Sequence, residues 1–430
     1  MELSLKSARN RNLLLAGSVF LAALMIFQAG ELWLASRWID SGDLQRVERG
    51  AKLIPSDASA WDKRGHLRQW NLSNSDLPGA IADYRRALRD DPLAAHYWMD
   101  LASAEEASGD VLAAKDAFMH AQAVYPDSAE VSFYYGNFLL RQQEYSPAFA
   151  ALRKAVREDS SLLPLAISRA WRATSDANEI IDHLLPVRVT SYLKAIDYFA
   201  SIHQCDAALV IWTRLANSKT AVPLPSVFPL VDELISENRS ADARRIWLQA
   251  ASNANQPGGY ASESSSMWNG DFAEDFTGGG LGWRWNLLPG IDVSFEAPPP
   301  EGRGRALGLE FNGGSNVNLA GPYEYVPVSP AQPYHFHALM RTDAITTESG
   351  PRFSISDPSH PGVVSVLTDN FTGTHGWTAV DANFSTGPET AFLIVRLVRT
   401  PSRLFDNKLS GTVWIADVSL VPTTDTEPHR

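Results

Sequence analysis

The chain has 430 residues, more than one ordinary hydrophobic core uses, and at roughly one domain per 150 residues it predicts two or three domains. Its composition, 45% hydrophobic and 10% aromatic, is typical of folded protein. The net charge of -12 excludes a general affinity for nucleic acid, which needs a basic surface to displace counterions from phosphates. The one cysteine, Cys205, excludes an intramolecular disulfide and a cysteine-based zinc site. The helical character of its flanks, 202–207, predicts a buried structural thiol, with a reactive thiol as the alternative.

An apolar stretch near the N-terminus is long enough to cross a bilayer as a helix. Leu13–Gly30 carry no charge, and Leu32–Ala35 extend the apolar run beyond Glu31. Three basic residues precede the stretch: Lys6, Arg9 and Arg11. By the positive-inside rule, this asymmetry places the N-terminus in the cytoplasm.

We therefore expect a cytoplasmic basic N-terminus over 1–12 and a transmembrane signal-anchor helix over 13–36. The protein would be single-pass in the inner membrane, with the bulk of the chain periplasmic or extracellular. A cleavable signal peptide is the alternative, since it shares the basic start and the apolar run. The small-x-small cleavage motif is poor, because Phe27 and Trp33 put an aromatic ring at its critical position, and this favours a retained anchor.

The middle of the chain repeats at a spacing of 34 residues. Pro92, Pro126 and Ser160 are 34 residues apart, and each follows a helix with apolar periodicity. The best copy resembles a tetratricopeptide repeat at Trp98, Leu101, Ala102, Gly109, Ala114, Phe118, Ala121 and Pro126, with Glu105 in place of the usual aromatic residue. The copy before it keeps Trp61, Gly65, Ala80, Tyr84, Ala87 and Pro92, and the copy after it keeps Gly136, Ala148, Leu152 and Ala155.

Beyond Leu163 the repeat pattern degenerates while the helical period continues. The segments 206–212 and 241–247 have small residues and a tryptophan at equivalent positions, and the two segments are 35 residues apart. This predicts that they are the second helices of two diverged repeats. The sequence thus predicts a helical solenoid over 40–254. The resemblance to tetratricopeptide arrays implies that partner proteins, whose identity the sequence does not give, bind on the concave face. The alternative is a spacer that holds the next domain away from the membrane.

The composition changes after residue 254. Gly, Pro and Ser predict a linker over 255–267. Short alternating runs then predict an antiparallel β-sandwich over 268–422, and 423–430 are expected to be a disordered tail. The predicted strands include 306–311, 334–340, 391–397 and 412–420. The fold class is therefore multidomain, with an N-terminal transmembrane helix, an all-α helical-hairpin solenoid and an all-β sandwich.

The sandwich resembles jelly-roll, galactose-binding-like carbohydrate-binding modules. The matching features are Asn269-Gly-Asp-Phe272, Gly282-Trp283-x-Trp285, the run 334–342, a Trp377 before a late strand, and the closing 411–420. This resemblance implies glycan binding on exposed aromatic rings, for which the candidates are Trp283, Trp285, Tyr323, Tyr325 and Trp377. The alternative is that these rings belong to the core.

The same resemblance implies a structural calcium ion between the first and last strands. Asp271, Glu274 and Asp417 are hard oxygen ligands in the matching regions. The alternative is that Asp417 caps a strand end while the other two lie in a solvated loop. No other cofactor is expected.

Enzyme motifs are absent from the sequence: there is no phosphate loop, HExxH or G-x-S-x-G elbow, and 278–282 lack a dinucleotide-binding setting. His335 and His337 alternate in a strand and point the same way, but the sequence identifies no third metal ligand, so ordinary placement on one face is favoured.

We therefore predict a non-enzymatic scaffold that binds proteins and glycan, in a process such as the assembly or export of a cell-surface polysaccharide. The alternatives are a glycan-active enzyme using Asp271, Glu274 and Asp275, and a purely structural protein.

Overall fold

The computed structural model describes residues 8–71, 75–218, 220–253, 265–285, 288–299 and 302–423. Residues 1–7 of the expected basic N-terminus, 255–264 of the expected linker and 424–430 of the expected tail lie outside this range. The chain divides into two compact units. The first ends at Ser175 and includes Asp182–Pro186, and the second comprises Asp176–Ile181 and the chain from Val187 onward.

The first unit begins with a long helix, α1 (Ala8–Ile39). Over Arg11–Ile39 it is long and apolar enough to cross a membrane, with a mean hydropathy of 2.1 in an 18-residue window that is not buried in the protein. Its last turn packs against α2 (Leu44–Leu53), where a Cβ atom at Gly50 would collide with the Ile39 side chain. The helix predicted over 13–36 therefore continues without a break into the helical array.

Three helical hairpins follow in the first unit. They are formed by α3 (Ala58–Gln69) and α4 (Leu77–Asp90), α5 (Ala95–Ala107) and α6 (Val111–Val124), and α7 (Ala129–Arg141) and α8 (Tyr145–Glu158). Glycine lets paired helices approach closely: a Cβ at Gly65 would meet the ring of Tyr84, and one at Gly136 would meet Leu152. These contacts occur where the repeat pattern has small and large residues. The two helices of each hairpin therefore pack against each other and against the neighbouring hairpin.

The array continues beyond the third hairpin with less regular helices. A 3-10 turn at Ser160–Leu162 leads into α9 (Leu163–Thr174), and α10 (Ala177–Glu179) precedes a π-helical turn at Ile180–Leu184.

The second unit contains α11 (Val189–Ser201), α12 (Cys205–Asn217), α13 (Phe228–Ser236) and α14 (Ser240–Asn253). Trp212 and Trp247, aligned in the sequence, lie on α12 and α14 and are completely buried. Cys205 is also buried, and burial raises the pKa of its thiol to about 12, as expected for a structural thiol.

Nine strands follow in the described part of the second unit. They are β1 (Ile291–Glu296), β2 (Ala306–Asn312), β3 (Leu319–Pro327), β4 (Pro333–Ile345), β5 (Arg352–Ser356), β6 (Ser365–Leu367), β7 (Gly373–Ser385), β8 (Phe392–Arg399) and β9 (Ser410–Pro422). They form two antiparallel sheets with the orders β1-β2-β9-β4-β7 and β3-β8-β5-β6. Alternate residues of both sheets form one hydrophobic core, as a β-sandwich requires.

Two ionisable side chains are completely buried in the sandwich. Glu324 accepts a hydrogen bond of 2.6 Å from the backbone N–H of Trp268, and burial raises the pKa of this carboxyl well above its usual value. Arg399 donates hydrogen bonds to five oxygen atoms of the surrounding loops, and burial lowers the pKa of its guanidinium. These loops converge on one side chain at one end of the sandwich.

The last helices of the array pack directly on the sandwich within the second unit. A Cβ atom at Gly279 would collide with Phe228, and one at Gly280 with the ring of Trp247. The glycine-rich run at 278–282 therefore makes room for α13 and α14. An ion pair between Asp232 on α13 and Arg284 adds a polar contact.

The start of the sandwich differs from the prediction. Ser265, Ser266 and Met267 were expected to belong to the linker, but all three are buried. The N–H of Ser266 donates to the carbonyl of Leu420 on the closing strand, at 2.8 Å. The sandwich thus begins at least three residues before the predicted boundary at 268.

Candidate binding surfaces

A groove in the first unit lies between α7 and α9. Its volume is about 420 Å³. The lining residues are Phe133, Tyr134, Asn137, Leu140, Arg141, Arg169, Arg172 and Ala173. Two exposed arginines come from α9 and one from α7, so the groove combines positive charge with an aromatic wall.

The polar groups of this groove are only partly used by the protein itself. Arg141 forms two hydrogen bonds of 2.7 Å with the carboxylate of Glu106, while Arg172 donates to the backbone and side-chain oxygens of Ser168 in its own helix. The side-chain oxygen of Asn137, one of the lining residues, is buried without a hydrogen-bond partner among the described residues. A buried polar atom without a partner costs about 1–3 kcal/mol, so a ligand that donates a hydrogen bond here would gain affinity.

Glu105, which replaces the usual aromatic residue of the repeat, lies at a second groove between α4, α5 and α6. Its carboxylate is nearly buried and accepts a 2.8 Å hydrogen bond from Arg85. Desolvation raises the pKa of Glu105, and the contact with Arg85 opposes this effect. Trp98 borders the same groove, stacked on His120 with ring centroids 4.5 Å apart. An ion pair between neighbouring repeats thus takes the place of an aromatic contact.

Two aspartates share a hydrogen bond on neighbouring helices, Asp62 on α3 and Asp100 on α5. Desolvation, followed by repulsion from Asp100, raises the pKa of Asp62 to about 7. Burial also raises the pKa of Asp100. Two carboxyl groups this close cannot both ionise cheaply, so they hold one proton between them near neutral pH.

The structure rejects one of the predicted glycan platforms. Trp283 is completely buried and packs against Phe272 in the core of the sandwich, so it cannot stack on a sugar. Its indole N–H donates to the carbonyl of Asn269 at 3.2 Å. Trp285 is half-buried and packs against Phe276 at the margin of the same core.

Tyr323 and Tyr325 are also half-buried, on the face of β3 that points away from the core. Their rings meet edge to face at 6.0 Å. The guanidinium of Arg284 lies 5.1 Å from the centre of the Tyr325 ring and is held there by its ion pair with Asp232. The helical part of the second unit thus fixes an arginine over one of the two candidate rings.

Trp377 lies inside β7, and not before a strand as the sequence predicted. Arg341 on β4 places its guanidinium 5.3 Å from the Trp377 ring and 3.8 Å from the ring of Trp414 on β9. Glu296 on β1 holds the same guanidinium at 3.2 Å. The outer face of the five-stranded sheet therefore carries a row of two tryptophans with an arginine between them.

Two of the three candidate calcium ligands accept hydrogen bonds from backbone N–H groups. The Asp417 carboxylate, at a residue with φ of +47°, accepts from the N–H of Arg303 at 3.2 and 3.3 Å. Asp271 accepts from the N–H of Ala273 at 3.3 Å, and Glu274 is exposed. Asp275, named with Asp271 and Glu274 for the enzyme alternative, pairs with Arg305 at 3.0 Å. The calcium site stays a prediction.

Sequence reasoning missed the residues that complete two of these surfaces. The three arginines of the groove come from helices whose neighbours in space are not neighbours in sequence. Arg341 and Trp414 become a pair only through the register of β4 and β9.

Comparisons with known proteins bear on the helical region. A family model described as tetratricopeptide repeat matches residues 72–118 and 105–162. No curated protein matches the chain.

Three solved structures are similar in part. YrrB, described as a tetratricopeptide repeat protein with an unusual peptide-binding site, is 14% identical, with 50% of this chain and 95% of that chain covered and a TM-score of 0.26. A tetratricopeptide repeat protein from Parabacteroides merdae is 14% identical, with 54% and 94% covered and a TM-score of 0.31. MamA of MSR-1 is 16% identical, with 27% and 66% covered and a TM-score of 0.24. By the family match, the chain contains tetratricopeptide repeats within residues 72–162.

Proposed function

We propose that the protein is a non-enzymatic scaffold that holds an acidic segment of a partner protein in the groove between α7 and α9. The observation that carries this proposal is the set of three exposed arginines in a groove whose lining also includes Asn137, with its unpartnered side-chain oxygen. Arginine pairs with carboxylates in a two-bonded geometry, and the amide oxygen accepts a backbone N–H of a bound peptide. Tetratricopeptide repeats are generally protein-binding adaptors, which supports a polypeptide ligand.

The test uses full-length protein in detergent and a fluorescent peptide library that varies in acidic content. Acidic peptides should bind best, and the double variant Arg169→Glu, Arg172→Glu should weaken them at least tenfold, since each charge-assisted hydrogen bond contributes about 1.5–3 kcal/mol. Arg157→Glu is the matched control, because it reverses an exposed charge on α8 outside the groove. If the wild type, the double variant and Arg157→Glu bind acidic peptides equally, the groove is not the binding site.

The N-terminal helix is proposed to anchor this scaffold in the inner membrane, with the array on the far side. Helix α1 enters the first packed turn at Ile39 without a loop, which supports a fixed distance between the membrane and the repeats. Protease protection in sealed membrane vesicles, read at the C-terminus, tests the orientation. Degradation of the C-terminus in vesicles whose cytoplasmic face is outside would reject it.

Glycan binding by the sandwich is a second candidate function. It rests on the outer face of the five-stranded sheet, where Trp377 and Trp414 flank Arg341. Aromatic rings stack on the apolar faces of sugars, and the guanidinium donates to hydroxyl or carboxylate oxygens. Such a sandwich would fit a role in the assembly or export of a cell-surface polysaccharide.

Affinity electrophoresis in gels that contain neutral or acidic polysaccharides tests this candidate. Retardation of the full chain should disappear in Trp377→Ala and Arg341→Ala. Trp70→Ala is the matched control, since it removes a tryptophan of the first unit that is 61% exposed. If no polysaccharide retards the wild-type protein, the glycan candidate is wrong while the groove proposal stands.

A further inference from the structure

Two histidines and an aspartate meet on the outer face of the five-stranded sheet. His335 and His337 alternate along β4, and Asp381 lies directly opposite His337 on β7. One possible ligand atom from each residue lies within 4.8 Å of the other two. Asp381 thus supplies the third ligand that the sequence did not identify, because the pairing of β4 with β7 brings it there.

The two distances from Asp381 to the imidazole nitrogens are close to those of a tetrahedral metal site. Asp381 Oδ1 lies 2.8 Å from His337 Nδ1 and 3.2 Å from His335 Nε2. Bonds of about 2.0–2.1 Å to zinc set neighbouring ligand atoms roughly 3.3 Å apart. The second distance already fits, and the first needs to open by about 0.5 Å, a small rotation for side chains that are 34% and 46% exposed.

Asn383 orients one of the imidazole rings. Its side-chain oxygen lies 2.8 Å from His335 Nδ1 and accepts the hydrogen bond when Nδ1 carries the ring proton. The lone pair of Nε2 then points at the cluster, which is the tautomer a metal needs. Partners of this kind fix the ligands of metal sites in other proteins.

β9, the strand on the other side of β4, places no charged residue opposite the two histidines. On β9, Ser419 pairs with His337 and Val421 with His335, and both are uncharged. The β9 residues that pair with the two histidines therefore place no charge against a bound dication.

We infer that His335, His337 and Asp381 bind a divalent transition metal ion of the zinc type, through three protein ligands and one open position towards solvent. Imidazole nitrogen favours zinc and its neighbours in the transition series, whereas calcium and magnesium prefer sites built from oxygen alone. Neither the arginine groove nor the tryptophan row contributes a ligand, so this site is independent of both proposed functions.

Calorimetric titration of the chelator-treated, full-length protein with Zn²⁺ is the test. Wild-type protein should bind one more zinc ion than His337→Gln or Asp381→Asn. His375→Gln is the matched control, because it removes a histidine of β7 outside the cluster and should leave the stoichiometry unchanged. Asn383→Ala should weaken the site roughly tenfold by releasing the His335 ring.

A second group, Cys205 with Glu233 and Glu237, also has its possible ligand atoms within 4.8 Å of one another. The experiment must therefore distinguish zinc bound there from zinc bound at the histidines. Cobalt(II) separates them, because a bound thiolate gives a sulfur-to-metal charge-transfer band that histidine and carboxylate ligands do not. Near-ultraviolet circular dichroism of each variant verifies the fold. Equal zinc stoichiometry in wild type, His337→Gln and Asp381→Asn would overturn the site, as would a wild-type protein that binds no zinc.

Discussion

Replacement of Asp62 by asparagine should make the first unit more stable at neutral pH and remove part of its pH dependence. The pKa of Asp62 is raised from 3.8 to about 7, so the folded state holds a proton that the unfolded state releases. The stability due to this proton is fully present below pH 3.8 and is lost as the pH rises through about 7. At roughly 1.4 kcal/mol per pK unit, the shift corresponds to at most ~4 kcal/mol, and sharing of the proton with Asp100 reduces the expected effect to ~2 kcal/mol.

Urea unfolding of the full-length protein between pH 4 and 8 measures this effect, with hydrogen exchange of peptides from α3 and α5 reporting the first unit. The difference in unfolding free energy between Asp62→Asn and wild type should grow by ~2 kcal/mol across that range. Asp127→Asn removes an exposed carboxylate and should give a constant difference. If the Asp62→Asn difference is also constant with pH, the shared proton does not exist.

Three further substitutions probe buried contacts. Arg399→Lys should lower the unfolding free energy of the sandwich by ~3 kcal/mol, because one ammonium cannot replace a guanidinium that reaches five oxygen atoms. An unchanged thermal midpoint of unfolding would contradict this prediction. Glu324→Gln should stabilise the protein increasingly as the pH rises above the usual range of a carboxyl, because there the unfolded wild type releases a proton that the folded state keeps. Denaturation at pH 5 and 9 checks this, and equal differences at both pH values would speak against a neutral Glu324. Gly65→Ala should cost ~1–3 kcal/mol through overlap with the Tyr84 ring, measured by urea midpoint, and a neutral effect would mean that the two helices can separate freely.

The sequence predicts the helical hairpins well because their signal is local. The small residues at equivalent positions of the repeat, such as Gly65 and Gly136, identify the helix contacts directly. The same holds for Trp212 and Trp247, whose matching positions predicted two diverged hairpins that the second unit contains. In each case the residues that touch are close in the chain, and the helical period determines which face they share.

The β-sandwich was predicted as a fold, but its surfaces were not. Trp283 was expected on a face that could bind sugar, yet it packs in the core, since alternation alone does not say which face of a strand is buried. β7 was not predicted as a strand, because its glycines and many polar residues resemble a loop. Since Asp381 lies on that strand, its approach to the two histidines depended on a register that a single sequence does not contain.

The glycine-rich contact between α13–α14 and the sandwich decides how the protein can be cut into working fragments. A fragment that ends at residue 254 would leave the rings of Phe228 and Trp247 facing water, which favours aggregation. A fragment that starts at 268 would lose Met267 from the core and the Ser266 bond to the closing strand. Domain dissection should therefore keep α11–α14 with the sandwich and include Asp176–Ile181, which belong to the same compact unit.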